Sequence, residues 1–365
     1  MRFMLEKRDA KSTKMAILVP VVSLLVSLLL GAIVLLLSKA NPLRAYAAMA
    51  KGAFGSARGF QYTVIKAIPL LICGLGVGIA FRLKFWNIGA EGQFVWGVIG
   101  MTWVMQFWTF LPTPMLLPIG MLMGMICGAL WAGIPGLLKA QWSVDETLTT
   151  LMMNYIAIGL AEYLYINAWK APRGNMGTPQ YPQAAWLPSI WGKVHAGIFI
   201  ALALVVILWF VLYKTKWGFE LNMIGKNPRA AQCQGVSIKR NIILAMLLSG
   251  AICAMAGCVE AAAVTHRLTK GVDAGHGFTG IIIAWMSGLN PFASILVAIV
   301  MAGLLTGADA LQISMKLPAA MGEVLQGLVL LPLLAGSIFT EYRLLVIRKP
   351  KVAHPAVQTM QKEVN

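Results

Sequence analysis

Long apolar runs separated by short polar segments make up most of this chain, and their lengths predict membrane-spanning helices. A spanning helix takes about 20 mainly apolar residues. Ten segments meet or approach that length: 15–37, 63–82, 92–110, 114–138, 147–168, 196–213, 241–264, 277–289, 292–308 and 322–340. The eighth is too short to span comfortably. It ends at "SGLNP" (Ser287 to Pro291), where glycine and proline break a helix. The expected fold class is an all-α polytopic membrane protein of about ten transmembrane segments.

The first run, Met15 to Leu37, follows a basic start containing Arg2, Lys7, Arg8, Lys11 and Lys14. It exceeds the roughly 7–15 apolar residues of a secretory signal, so it reads as a retained first span. Residues 1–14 then form a cytoplasmic basic N-terminus, 15–340 a transmembrane domain, and 341–365 a cytoplasmic tail. Segment 214–240 is a cytoplasmic loop within that domain. Of the 30 Lys and Arg residues, 19 fall on the cytoplasmic side of this topology, the expected bias. Lys39, Arg44, Lys51 and Arg58 run against it, which lays segment 38–62 along the interface.

Composition agrees. The chain is 59% hydrophobic and 12% charged, against about 25% charged in soluble domains. A net charge of +17 raises nucleic acid as a partner. That reading fails, because the basic residues lie in short segments between spans rather than on a polar domain. The five cysteines form no CxxC pair and read as small packing residues. The four histidines are scattered with no HExxH, so no metal site is expected.

Polar groups inside this apolar frame are the candidates for chemistry. "FWNIGAEGQF" (Phe85 to Phe94) places Asn87, Glu91 and Gln93 among Gly89, Ala90 and Gly92, at a junction or broken helix between the second and third spans. Small residues permit close approach or a non-helical turn. Backbone freed at membrane depth must line a cavity or be buried in protein. Glu91 and Gln93 therefore read either as lining a substrate path or as an ordinary interfacial turn. Trp285 and Asn290 flank the second break, with packing as the bland role for Trp285. Asp145, Glu146, Asp309 and Glu323 lie near span ends, whereas Glu162 and Glu260 lie deeper and read as structural hydrogen-bonding groups. An internal echo relates the halves. Glu91 aligns with about Gly277 and Glu146 with Glu323, as in transporters built from repeats with broken helices.

The loop "WGFELNMIGKNPRAAQCQGVSIKRN" (Trp217 to Asn241) holds a helix of about two turns. Asn227 caps it, Pro228 takes its first position and Gly235 ends it. A helix so short needs a partner to hold it.

Here the chain resembles the permease subunits of bacterial ABC importers for branched-chain amino acids, simple sugars and nucleosides. "IGKNPRAAQCQGVSI" is similar to that family's cytoplasmic coupling segment, which implies an ATPase-coupling role for Gly225, Asn227, Pro228, Arg229, Ala230, Ala231 and Gly235. Gln234 after Cys233 departs from the family's usual aromatic or small residue. "ANPLRAYAAMAKGAFGS", "AFRLKFWNIGAEGQF", "VDETLTTLMMNYIA" and "SGLNPFASILVAIVMAGLL" resemble the nucleoside-importer branch.

The resemblance implies a multi-pass protein of the bacterial cytoplasmic (inner) membrane. It also implies a second permease subunit, a separate ATP-binding cassette subunit that uses the ATP, and an extracytoplasmic substrate-binding protein. The chain itself is expected to be neither an enzyme nor a cofactor carrier, and it holds no GxxxxGK[ST] loop. A nucleoside is the expected solute, with a simple sugar or branched-chain amino acid as alternatives. Asn87, Gly89, Glu91, Gly92, Gln93, Trp285 and Asn290 are the expected substrate path. The rival is an ion-coupled secondary transporter using Glu91, Glu162 or Glu260.

Overall fold

The computed structural model describes residues 2–7, 13–172, 176–272, 274–318 and 320–347. Parts of the expected N-terminus (8–12) and C-terminal tail (348–365) lie outside the described residues.

Capping chemistry sets the helix starts. Asn41 opens α2 (Pro42–Phe54), its Oδ1 accepting from the Leu43 and Arg44 amides at 3.0 and 3.2 Å. Ser56 caps α3 (Ala57–Arg82), Asp145 caps α6 (Glu146–Tyr163) and Ser237 caps α10 (Ile238–Glu260). Asn290 caps α12 (Pro291–Met315), with proline in the first turn.

The core forms around α10, which packs on α3, α4 (Ala90–Phe107) and α5 (Leu116–Trp142). Missing side chains let these helices approach. A Cβ on Gly97 would overlap the Ala254 carbonyl, and one on Gly257 that of Phe94. α11 (His276–Met286) packs on α3 much as α4 packs on α10, an arrangement in keeping with the internal echo. At one flank α1 (Thr13–Leu37) packs on α13 (Ala320–Glu341), and the Ser23 hydroxyl donates to the Pro332 carbonyl at 3.0 Å. β1 (Arg2–Lys7) pairs antiparallel with β4 (Tyr342–Ile347), which brings both ends to one side of the bundle.

A helix stands at each of the ten apolar segments, though not every one is long and apolar enough to count as a span by itself. Among the described residues five helices are long and apolar enough to cross alone: 57–82, 113–142, 197–214, 238–265 and 291–315. The count is six if residues 21–37 and α2, bent by 113°, make one span. α11 has 11 residues, about 16 Å at 1.5 Å per residue. α4 carries Glu91 and Gln93 in its first turn, and α6 opens with "ETLTT". α2 was not foreseen as a helix. It buries Ala45, Met49 and Ala53 and leaves Leu43 exposed, in keeping with an interfacial segment.

Candidate functional site

Between α3 and α4, residues 83–89 leave the helix, and their backbone groups are met by side chains from neighbouring helices. On α6, Thr150 Oγ1 accepts the Ile88 amide at 3.2 Å. Asn154 Nδ2 donates to the Ile88 carbonyl at 2.8 Å, while its Oδ1 accepts the Gly92 amide, also at 2.8 Å. Asn87 is fully buried; its Nδ2 donates to Gln93 Oε1 and to Ser249 Oγ on α10 at 3.2 and 3.1 Å. Gln93 Nε2 returns a bond to Asn87 Oδ1 at 3.0 Å, and the Gly89 amide donates to the same oxygen. Asn87, Gly89, Gly92 and Gln93 thus form a closed seam in this conformation.

Glu91 is 1% exposed and spans to the broken half-helix. Its Oε1 accepts the Gly275 amide at 3.0 Å and its Oε2 the Gly277 amide at 2.6 Å. The carboxylate thereby meets the positive end of α11. Glycine suits both positions: Gly275 has φ +77°, where a side chain is strained, and a Cβ on Gly277 would overlap the Glu91 backbone. An interfacial turn exposed to water is not what forms here.

The second break, 287–290, is tied to the end of α3. Leu289 is held at φ 62°, a strained conformation for a side chain with a Cβ. Its carbonyl accepts from Arg82 Nη2 at 2.7 Å. The same guanidinium donates through Nη1 to Asn222 Oδ1 at 3.2 Å and lies 4.7 Å over the Tyr213 ring. Trp285 packs with Phe81 and Trp86 at 5.8 and 5.6 Å, an aromatic cluster at this corner. Asn290 caps α12 through its side chain and is exposed.

Asn222 belongs to α8 (Lys216–Lys226), which follows α7 (Gly197–Lys214) and leads into α9 (Pro228–Cys233). The sequence features of α9 appear as expected. Asn227 Oδ1 accepts the Ala230 amide at 3.2 Å, Pro228 stands first, and Gly235 turns the chain at φ +76°. Pro228, Arg229 and Ala230 are exposed and only Ala231 is buried in α9. Gly225 lies directly on the Arg82 carbonyl, where a Cβ would clash. The segment is therefore seated on the end of α3 while presenting its own outer face.

A second polar group went unrecognised in the sequence. Lys66 on α3 pairs with Asp309 on α12 at 2.5 Å, 243 residues apart, with the two side chains 32% and 59% exposed. Thr279 on α11 accepts from Gln326 on α13. Of the deeper acids, Glu162 is exposed at the end of α6, and Glu260 is half-buried at the end of α10. Asp145 and Glu146 serve the start of α6, the former as cap and the latter paired with Lys139 at 2.6 Å. Among the described residues no group of three His, Cys, Asp or Glu side chains gathers to hold a metal.

On the opposite end, residues 176–196 fold back over the bundle with a short hairpin of β2 (Ser189–Trp191) and β3 (Val194–His195). Burial pushes the His195 imidazole down to about 4. His266 stacks on Trp186 at 3.8 Å and is likewise held below 6.5 by burial.

Residues 59–334 match the family described as branched-chain amino acid transport system / permease component. The chain is 33% identical over 337 residues to the glucose ABC transporter permease protein TsgB13 of Haloferax volcanii, covering 89% of this chain and 88% of that one. It is 32% identical over 321 residues to the guanosine ABC transporter permease protein NupP of Bacillus subtilis, covering 86% and 92%. With the nucleoside ABC transporter permease protein NupB of Lactococcus lactis it shares 29% identity, over 80% and 84% of the two chains.

Proposed function

The chain belongs to the branched-chain amino acid transport system / permease component family, and from that premise we propose that it carries a nucleoside or similar small polar solute inward across the membrane. As an ABC permease it is a multi-pass transport subunit, not an enzyme, and works with an ATPase subunit that uses the ATP. A second permease and an extracytoplasmic binding protein complete the proposed assembly. Ten membrane segments in two related halves, with both termini cytoplasmic, are proposed for the topology. The pairing of β1 with β4 supports placing the termini on one side.

The observation that carries the mechanism is the chain of contacts from α9 to the breaks. The ATPase pair docks on the exposed face of α9, and closure on ATP pushes α8 and α9 together. Gly225 on the Arg82 carbonyl, and Arg82 bonded to Asn222 and Leu289, pass that push to the 287–290 turn. Glu91 passes it from α11 to α4. The polar seam at 87–93 then works as a hinge that reseals in each state, shifting the bundle between outward-open and inward-open arrangements.

Guanosine and glucose, named for two of the relatives, are neutral and rich in hydroxyl groups. Both suit a path lined by hydrogen-bonding groups rather than one deep charge. The deciding experiment is mild extraction of the tagged complex, mass spectrometry of its subunits, and uptake in vesicles. ATP-dependent guanosine uptake by a complex holding a P-loop ATPase and a second polytopic chain supports the reading. Uptake by this chain alone, abolished by collapsing an ion gradient, overturns it in favour of a secondary transporter.

A further inference from the structure

A cleft of about 470 Å³ opens between α3, α7 and α12, lined by Phe60, Ile68, Trp191, Phe199 and Ile295. It is apolar and offers a hydroxylated solute nothing to bond. The seam at Asn87 and Gln93 has already spent its donors and acceptors on itself. Polar groups that include buried atoms left without a partner lie elsewhere, where α3, α11, α12 and α13 converge.

Lys66 and Asp309 are charged, partly exposed and set inside helices that form spans. Ionised groups at such places are costly against lipid and belong on a water-lined or protein-covered face. Two more polar atoms nearby lack any hydrogen-bond partner although buried. They are Nδ1 of His276, one turn before Gly280, which packs on Cys73 of α3, and Oγ1 of Thr306, one turn before Asp309 on α12; the residues are 9% and 8% exposed. Gln326 and Thr279 extend the same set from α13 and α11.

We propose that Lys66, Asp309, Thr306 and His276 form a solute-binding station on the outer part of the path, built to read two adjacent hydroxyl groups on a neutral ring. A carboxylate accepts from two neighbouring hydroxyls at once, and an ammonium beside it donates to a ring or hydroxyl oxygen. The pair has no net charge, which matches a neutral solute. Adjacent hydroxyls are the chemistry that ribonucleosides and hexoses share, so one station serves either class. This rests on the permease reading above.

The test uses the whole complex in proteoliposomes, with labelled guanosine, 2′-deoxyguanosine and glucose as probes. Guanosine or glucose uptake tells which class supplies the hydroxyls. Expected for D309N is a loss of about 10- to 100-fold for the carried diol, with 2′-deoxyguanosine little changed, so that the guanosine preference of the wild type collapses. Because the binding protein is the same in both, that collapse belongs to the permease. Equal loss for both nucleosides, or an unchanged preference, overturns the proposal. So does recovery of the full preference when Lys66→Asp is combined with Asp309→Lys, which would make the pair a packing element. Carriage of neither guanosine nor glucose by a complex with an active ATPase overturns the diol reading and leaves the permease assignment intact.

Discussion

Glu91 and Gly277 stand 186 residues apart in the chain, and the carboxylate of the first accepts the amide of the second at 2.6 Å. They are also the positions that the internal echo aligns. Corresponding points of the two proposed halves therefore touch, and one carboxylate closes the contact.

Removing that carboxylate tests the contact. Glu91→Ala leaves two α11 amides without their charged acceptor, each such bond contributing about 1.5–3 kcal/mol. Uptake is expected to fall at least about tenfold, with Glu91→Gln intermediate, while the ATPase subunit still copurifies. Wild-type uptake by a well-assembled Glu91→Ala complex would show the contact to be dispensable.

Arg82 is expected to matter through geometry more than charge. Lysine keeps the charge but lacks the planar fork that reaches Leu289 and Asn222 together. A complex carrying Arg82→Lys should therefore hydrolyse ATP at near the normal rate while moving several-fold less solute per ATP. Measuring both rates on one preparation checks this; an unchanged ratio removes Arg82 from the coupling route.

Gly235 gives a cleaner probe of the same route. Its φ is +76° and nothing lies within 4 Å of where a Cβ would stand, so Gly235→Val adds strain without a clash. Left-handed backbone costs such a residue about 1–2 kcal/mol, enough to shift the end of α9. The expected outcome is normal insertion with ATPase stimulation lost. Full stimulation by the binding protein would argue that α9 is not the docking element.

The loop carrying the β2–β3 hairpin should loosen in acid. His195 is held near 4 in the folded state against an ordinary value of 6.5. Its Nδ1 accepts the Gly197 amide and its Nε2 is buried without a partner, so neither nitrogen accommodates a second proton. Below 6.5 the opened loop binds more protons than the closed one, so its stability is complete above that pH and declines as pH falls toward 4. His266 works in the same direction. Hydrogen exchange of residues 181–197, corrected for intrinsic rates, should show protection lost between pH 6.5 and 4. Replacing His195 with glutamine should shrink that loss; equal protection at both ends of the range would refute the assignment.

Local chemistry made much of this legible. Apolar length located a helix at each of the ten segments, and the Asn227, Pro228 and Gly235 pattern located α9, because caps and breakers act within a few residues. Polar residues amid apolar runs marked the 87–93 break, but not what each would bond, since Thr150, Asn154 and Ser249 arrive from distant helices. Asp309 read only as an acid near a span end, and its pairing with Lys66 was not legible because nothing in either segment announces a partner 243 residues away. Only the fold shows Arg82 reaching two elements. α2 was hidden by its mixed, amphipathic composition.

The packing of α1 against α13 sets a schedule for biosynthesis. Ser23 and Pro332, which bond in the finished protein, lie 309 residues apart. At translation rates of about 5–20 residues per second, the first helix waits roughly 15–60 s in the membrane before its partner emerges. Leu25, Leu29, Leu36 and Leu37 on that helix remain exposed even afterwards, so lipid is a tolerable interim neighbour. A ribosome that stalls before residue 320 therefore leaves α1 without the helix it packs on in the finished protein.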